Sequence, residues 1–284
     1  MEKKLLITVS SDISHMCGVR FAGSFFRNKS AVSATLLYIS PQGDPMRTGL
    51  NPAGRKAARE NQGKAQEMLD TARRKLCDFG FLADNVTTKL IFKQIGIAQD
   101  IIREARKGHY DAVILGRRGY LVFESLLSTS LTKRMLDLDL DFPVWVCKNP
   151  DENCRNVLLC VDGSDASMRV ADHVGFMLAD EDQHSVTLFH VDTGEGVNKE
   201  AIMSNAGELI TSQAPDVRVE SIVVSSAATA VGKRILKEAA EKNYAVVGVG
   251  RVGNRKGRFQ EWLAGSKTTK LVESIKNSAL WVSS

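Results

Sequence analysis

The sequence predicts an α/β protein built as two tandem, doubly wound, mostly parallel five-stranded sheets. Three observations carry this. Short runs rich in Val, Ile and Leu alternate with longer stretches of helical spacing; the runs are continuously apolar, as in strands buried on both faces; and the whole pattern occurs twice in 284 residues, near two domains of about 140 each.

In the first copy the strand-like runs are Leu5 to Val9, Ser33 to Ile39, Val86 to Phe92, Ala112 to Leu115 and Val144 to Cys147, with helices expected over 15–27, 54–79, 97–108 and 123–138. In the second the runs are Val157 to Val161, Val186 to Val191, Val217 to Val224, Ala245 to Val249 and Leu280 to Val282, with helices over 166–180, 198–213, 229–242 and 260–276. Each copy reads β-α-β-α-β-α-β-α-β, the order of a parallel sheet with helices on both faces. The copies also match in letters. YDAVILGRRG at 110–119 corresponds to YAVVGVGRVG at 244–253, and DFPVWVCK at 141–148 to NSALWVSS at 277–284. Equivalent positions lie 134 apart at Gly116 and Gly250 but 152 apart at Leu5 and Val157, so the first copy has a longer second connection. Polar residues at 149–155 suit a linker, giving domains at 1–149 and 155–284.

Composition bounds the function. A quarter of the residues are charged and 43% hydrophobic, which excludes a disordered or collagen-like chain. The start shows no secretory pattern and no stretch reaches the length of a membrane span, so a cytoplasmic protein without a membrane span is expected. Five cysteines without a C-x-x-C read as buried thiols rather than as disulfides or a zinc site. The net charge of +5 is unevenly placed: 23 Lys and Arg against 15 Asp and Glu up to residue 150, then 15 against 18. Residues 47–75 carry eight Lys or Arg against Glu60, Glu67 and Asp70, a pattern better read as a solvated helix face than as a nucleic-acid surface.

Ligands of open α/β sheets sit at the carboxyl ends of the strands, where strand order reverses. Two segments of the second copy fall there. Asp162-Gly163-Ser164-Asp165 follows the first strand; Ser164 or Asp165 suits a helix N-cap, and Asp162 offers a carboxylate for ribose or purine groups. Gly248-Val-Gly250-Arg251-Val-Gly253 ends the fourth strand, and residues 251–270 carry six Lys and Arg, including Arg251 and Lys267, against Glu261. Glycines admit a phosphate close to the backbone, and a bound polyanion accounts for the local charge, although a solvated basic loop also does.

Better-known motifs fail. Gly248 to Gly253 has G-x-G-x-x-G spacing but follows the fourth strand, not the first, so a dinucleotide-binding dehydrogenase is rejected. Gly49 to Lys56 approximates a P-loop with Arg55 where Lys is required, and reads as a loop and helix start. His15, His109, His173, His184 and His190 show no ligand spacing, and no G-x-S-x-G elbow exists, so no catalytic or metal-binding residue is assigned. His190, at the end of a strand near the cleft, reads as structural.

Together these residues resemble the universal stress protein family in its tandem form, over essentially the whole chain. The resemblance rests on a first strand ending Asp162-Gly163-Ser164, a second ending His190-Val191, and a pattern of Gly250, Gly253, Gly265 and Ser266 before a last helix and strand. It implies an adenine nucleotide alpha hydrolase-like, Rossmann-like fold and a stress-response, ATP-binding regulatory role. The ligand would be ATP or AMP, with magnesium accompanying ATP. Asp162 and Val191 would contact adenosine; Gly253, Gly265 and Ser266 would hold phosphates, beside Gly163, Ser164, Gly250, Arg251 and Lys267. The spacer Asn254 to Ala264 is eleven residues where the family has nine, which alters the phosphate geometry. The first copy departs further, with Ser10 in place of Asp162 and Ser128-Thr129-Ser130 in place of Gly265-Ser266, so the ligand is expected in the second copy. The family's last strands pair between subunits, so the copies are expected to dock as an intramolecular pseudo-dimer near Trp145 and Trp281, or else both tryptophans are ordinary core. A homodimer and an unidentified protein partner fit the same reading. The competing readings are a scaffold that has lost nucleotide binding and, as enzyme, at most slow ATP hydrolysis.

Overall fold

The computed structural model describes residues 2–10, 16–40, 52–116, 140, 142–147, 151–250, 275 and 277–283. The first copy contains β1 (Lys3–Thr8), α1 (Cys17–Phe25), β2 (Val32–Ser40), α2 (Pro52–Asp78), β3 (Val86–Phe92), α3 (Ile97–Gly108), β4 (Ala112–Gly116) and β5 (Val144–Cys147). The second contains β6 (Val157–Cys160), α4 (Asp165–Leu178), β7 (Ser185–Asp192), α5 (Lys199–Thr211), β8 (Arg218–Ser225), α6 (Val231–Lys242), β9 (Val246–Gly250) and β10 (Ala279–Ser283). All ten expected strands are present. The helices expected over 123–138 and, apart from Ile275, over 260–276 lie outside the described residues or, at Ile275, show no helix.

The elements form for local reasons. β6 and β9 are buried along their whole length, as their unbroken apolar runs require. α3 buries Ala98, Ile101 and Ala105, one stripe at helical spacing. α3 and α6 end on His109 (φ 50°) and Asn243 (φ 52°), equivalent positions in the two copies. The Tyr110 hydroxyl donates to Glu104 at 3.4 Å, and Tyr244 donates to Glu238 at 3.2 Å, so the repeat extends to side-chain contacts.

The two expected sheets are one. The strand order is β3-β2-β1-β4-β5-β10-β9-β6-β7-β8, parallel within each copy and antiparallel only where β5 meets β10. The last strands of the two copies, β5 and β10, therefore occupy the centre, and β3 and β8 are the outermost of the described strands. At the junction Trp145 lies opposite Trp281 in register, and the two rings stack at 3.9 Å between centroids, 6° from parallel. Both are fully buried, so they are contact and core at once.

Phe21 and His173, equivalent across the repeat, flank that stack: Phe21 edge-on to both rings, His173 tilted against both. Further contacts between the copies join residues that precede or begin strands within their own copy. Buried Lys3 Nζ donates to the Ala179 carbonyl at 2.7 Å. Glu181 accepts from the amides of Arg27 and Asn28 at 2.9 and 3.1 Å. The ion pairs Arg20–Glu152 and Arg27–Asp182 lie at 2.5 and 2.9 Å.

The five cysteines are free, but only Cys17, Cys147 and Cys160 are buried; Cys77 and Cys154 are half-buried, a correction to the expectation of five buried thiols. Among the described residues no helix is long and apolar enough to cross a membrane.

Candidate functional site

In each copy the strand order reverses between the first and fourth strands: β1 beside β4, and β6 beside β9. The crevice at the carboxyl ends of β6 and β9 is where ligand contacts are expected. Asp162, Gly163, Ser164, Val191 and Gly250 are all placed on the carboxyl-end loops or strand ends of this region.

The turn after β6 is tightly self-bonded. Ser164 donates to Asp162 Oδ1 from its backbone nitrogen at 3.0 Å and from its hydroxyl at 2.6 Å. Ser164 Oγ in turn accepts from the Ser167 amide at 3.2 Å, making Ser164 the N-cap of α4. Of the two capping candidates in the sequence, Ser164 is the one used. Gly163 has φ +84°, a backbone conformation that favours glycine, and a Cβ there would press on the Ile202 side chain of α5. Half of the Asp162 carboxylate thus shapes its own turn.

Gly250 is explained differently from the sequence expectation. A Cβ on it would lie 2.5 Å from the Ser167 nitrogen and 2.6 Å from the Ala166 carbonyl carbon, so β9 packs directly on the first turn of α4. That contact requires glycine whether or not a phosphate approaches. A Cβ on its equivalent Gly116 meets nothing within 4 Å among the described residues.

Val191 is half-buried at the end of β7, next to Asp192, which accepts from the Gly194 amide and from Lys199 at 2.9 and 3.0 Å. Those bonds hold the Asp192 carboxyl below the usual carboxylate range. His190 is buried and its Nδ1 donates to the Val161 carbonyl at 2.8 Å, in line with a structural role. Beneath the turn, burial pushes the Cys160 thiol up, so it stays protonated and unreactive. Arg251, Gly253, Gly265, Ser266 and Lys267 lie outside the described residues, as do Asp12, Gly119 and Ser128 to Ser130 of the first copy.

Sequence reasoning missed Ser167. Its hydroxyl donates to the Ser164 carbonyl at 2.9 Å and accepts from the Asp162 amide at 3.4 Å, closing the turn from below. A serine three residues beyond a capping serine was the available signal. A groove at the C-terminal turn of α2, lined by Arg73, Arg74, Lys75 and Cys77, lies toward the amino ends of the first-copy strands and takes no part in this site. Among the described residues no cluster of three or more His, Cys, Asp or Glu side chains is placed to hold a metal.

With this geometry in view, the comparisons with known proteins can be set beside it. Residues 153–283 match the universal stress protein family. The whole chain shares its fold with a universal stress protein from Archaeoglobus fulgidus DSM 4304, at 18% identity and a TM-score of 0.67, covering 99% of this chain and 95% of that one. Shorter universal stress protein structures also align. One in complex with cAMP is 21% identical, covers 45% of this chain and 95% of its own, and has a TM-score of 0.36. Another, from Archaeoglobus fulgidus in complex with dAMP, is 19% identical, covers 51% and 98%, and has a TM-score of 0.34. No curated protein matches the chain.

Proposed function

We propose that the chain is a tandem universal stress protein, with domains at 1–149 and 155–284, that binds an adenine nucleotide in its second domain and acts as a regulatory protein. The observation that carries this reading is the Asp162-Gly163-Ser164 turn at the β6/β9 switch point, within the half that matches the family. The local residues fit such a group. Both bonds within the turn use Asp162 Oδ1, which leaves Oδ2 to accept from ribose hydroxyls. Val191 offers half-buried apolar surface to a purine. Gly253, Gly265, Ser266, Arg251 and Lys267 supply amides, a hydroxyl and positive charge for phosphates. ATP or AMP is the ligand of this reading, with magnesium neutralising the phosphates of ATP. Binding would bias conformation or assembly, which requires unequal affinity for the two states. Fast turnover is not part of the reading, and release of phosphate from ATP by the purified protein is expected to be slow.

The test is calorimetric titration of the purified chain with ATP, ADP and AMP, with and without magnesium, beside identification of any nucleotide that copurifies. Asp162→Ala is expected to weaken binding about tenfold, the loss of charge-assisted bonds to the ligand. No binding of any of the three nucleotides to the parent chain would overturn the reading. The first copy favours a second role there: Ser10 stands at the position of Asp162, so that domain serves as a structural partner. A scaffold without nucleotide is the alternative for the whole chain, and it gains if Asp162→Ala combined with Gly265→Val leaves both binding and cellular phenotype unchanged.

A further inference from the structure

His190 sits between the two strand ends that deliver the proposed adenosine contacts. It is 3% exposed, precedes Val191 on β7, and its Nδ1–H donates at 2.8 Å to the carbonyl of Val161, the residue before Asp162. Donation to a carbonyl fixes the proton on Nδ1. Nε2 is then a bare acceptor, and it is buried with no partner among the described residues. A buried acceptor without a partner is a cost to folding. A leucine or phenylalanine would fill the same apolar space without it, so the benefit of histidine lies on the Nδ1 side.

The first copy supplies an internal control. The Val9 amide donates to the Leu37 carbonyl at 2.8 Å, and the Val161 amide to Phe189 at 3.0 Å, which puts the two copies in the same register. In that register Tyr38 replaces His190 and Ser10 replaces Asp162. The copy that lacks the carboxylate also lacks the imidazole.

We infer that His190 is a positioning residue for the ligand site: it ties the carboxyl end of β6 to β7 and thereby sets where the Asp162 turn stands relative to Val191. The inference rests on the nucleotide reading for its functional consequence, but its structural content does not depend on a ligand.

The experiment compares His190→Leu, His190→Tyr and His190→Asn in the full chain. Asparagine keeps an N–H donor at similar reach, leucine removes it, and tyrosine is the residue the first copy accommodates at this register. Three readouts are taken: amide hydrogen exchange at Ser164 and Ser167 without nucleotide, the imidazole nitrogen shifts of His190, and calorimetric affinity for AMP and ATP. The expected result is an Nδ1–H tautomer in the parent, exchange at both serines about tenfold faster in the Leu and Tyr variants, and nucleotide binding about tenfold weaker, one hydrogen bond's worth. The Asn variant is expected to stay within about threefold of the parent on both measures. An Nε2–H tautomer, unchanged exchange in the Tyr and Leu variants, or an Asn variant as damaged as the other two overturns the inference. If the parent binds no nucleotide, the proposed function fails while the exchange and tautomer measurements still decide the role of His190.

Discussion

His173 shows how one side chain breaks the near-symmetry of the two copies. Its Nε2 accepts from Trp145 Nε1 at 3.1 Å, while Trp281 Nε1 is buried without a partner among the described residues, the equivalent of His173 being Phe21, which has no acceptor. Burial lowers the His173 pKa to about 3 and that of His184 to about 4, so both are neutral in the folded protein. An unfolded histidine titrates near 6.5, so as pH falls below that value the unfolded state takes up protons that the folded state refuses. Stability from these two groups is therefore full above about pH 6.5 and falls by about 1.4 kcal/mol per pH unit for each histidine on the way to pH 4. Glu181, 3.9 Å from His184, works in the opposite sense: burial raises its pKa, so the folded state takes up its proton first as pH falls. His173→Phe should cost about 1–3 kcal/mol at pH 7.5, where it leaves the Trp145 Nε1 unpaired, and should flatten the acid-side slope by one histidine's share. Urea unfolding between pH 7.5 and 4.5 measures both; an unchanged slope would show that His173 protonates without loss. The sequence made none of this visible, since His173 is one of five scattered histidines until the sheet brings two tryptophans to it.

At the scale of the element, the copies solve one packing problem in two ways. In the first, glycine is on the helix: a Cβ on Gly18 would meet Ile114 of β4 at 3.0 Å. In the second, glycine is on the strand: a Cβ on Gly248 of β9 would stand 3.3 Å from Val170 of α4. Gly18 and Val170 are equivalent, as are Ile114 and Gly248, so the branched side chain has moved across the interface, with one methylene's difference in volume. This swap explains why the first copy has Ile114 where the second has Gly248. Gly250 gives a direct test. Gly250→Ala is expected to destabilise the ligand-free protein by about 1–3 kcal/mol, because backbone must move to admit the methyl group. Thermal unfolding of the variant beside the parent decides it, and an unchanged midpoint would mean that β9 does not rest on α4. The element boundaries themselves were largely legible. β3, α3 and β5 match the sequence expectation residue for residue.

For the whole molecule the decisive feature is the antiparallel pairing of β5 with β10. It makes the strands of the two copies run in opposite directions, so the two switch points do not share a cleft. The contacts between copies from Lys3, Arg27 and Glu181 lie at the amino ends of each copy's own strands and the stacked tryptophans within the paired strands, away from the proposed ligand site. Removing one copy would leave β10 an open edge and expose Trp281, which is now fully buried. A fragment of residues 151–284 is therefore expected to form a dimer that repeats the β5/β10 junction with two β10 strands. Light scattering behind size exclusion reads this directly, and a stable monomer would show that the junction is dispensable.

By itself the sequence determined the α/β class, the repeat, the positions of the strands and the Asp162-Gly163-Ser164 turn, because those follow from local periodicity and turn chemistry. Only the tertiary structure decided that the two sheets are one, that Gly250 answers to the α4 backbone, and that His190 bonds to Val161. Each of these is a contact between residues far apart in the chain, and neither composition nor spacing records which distant surface an apolar or polar group will meet.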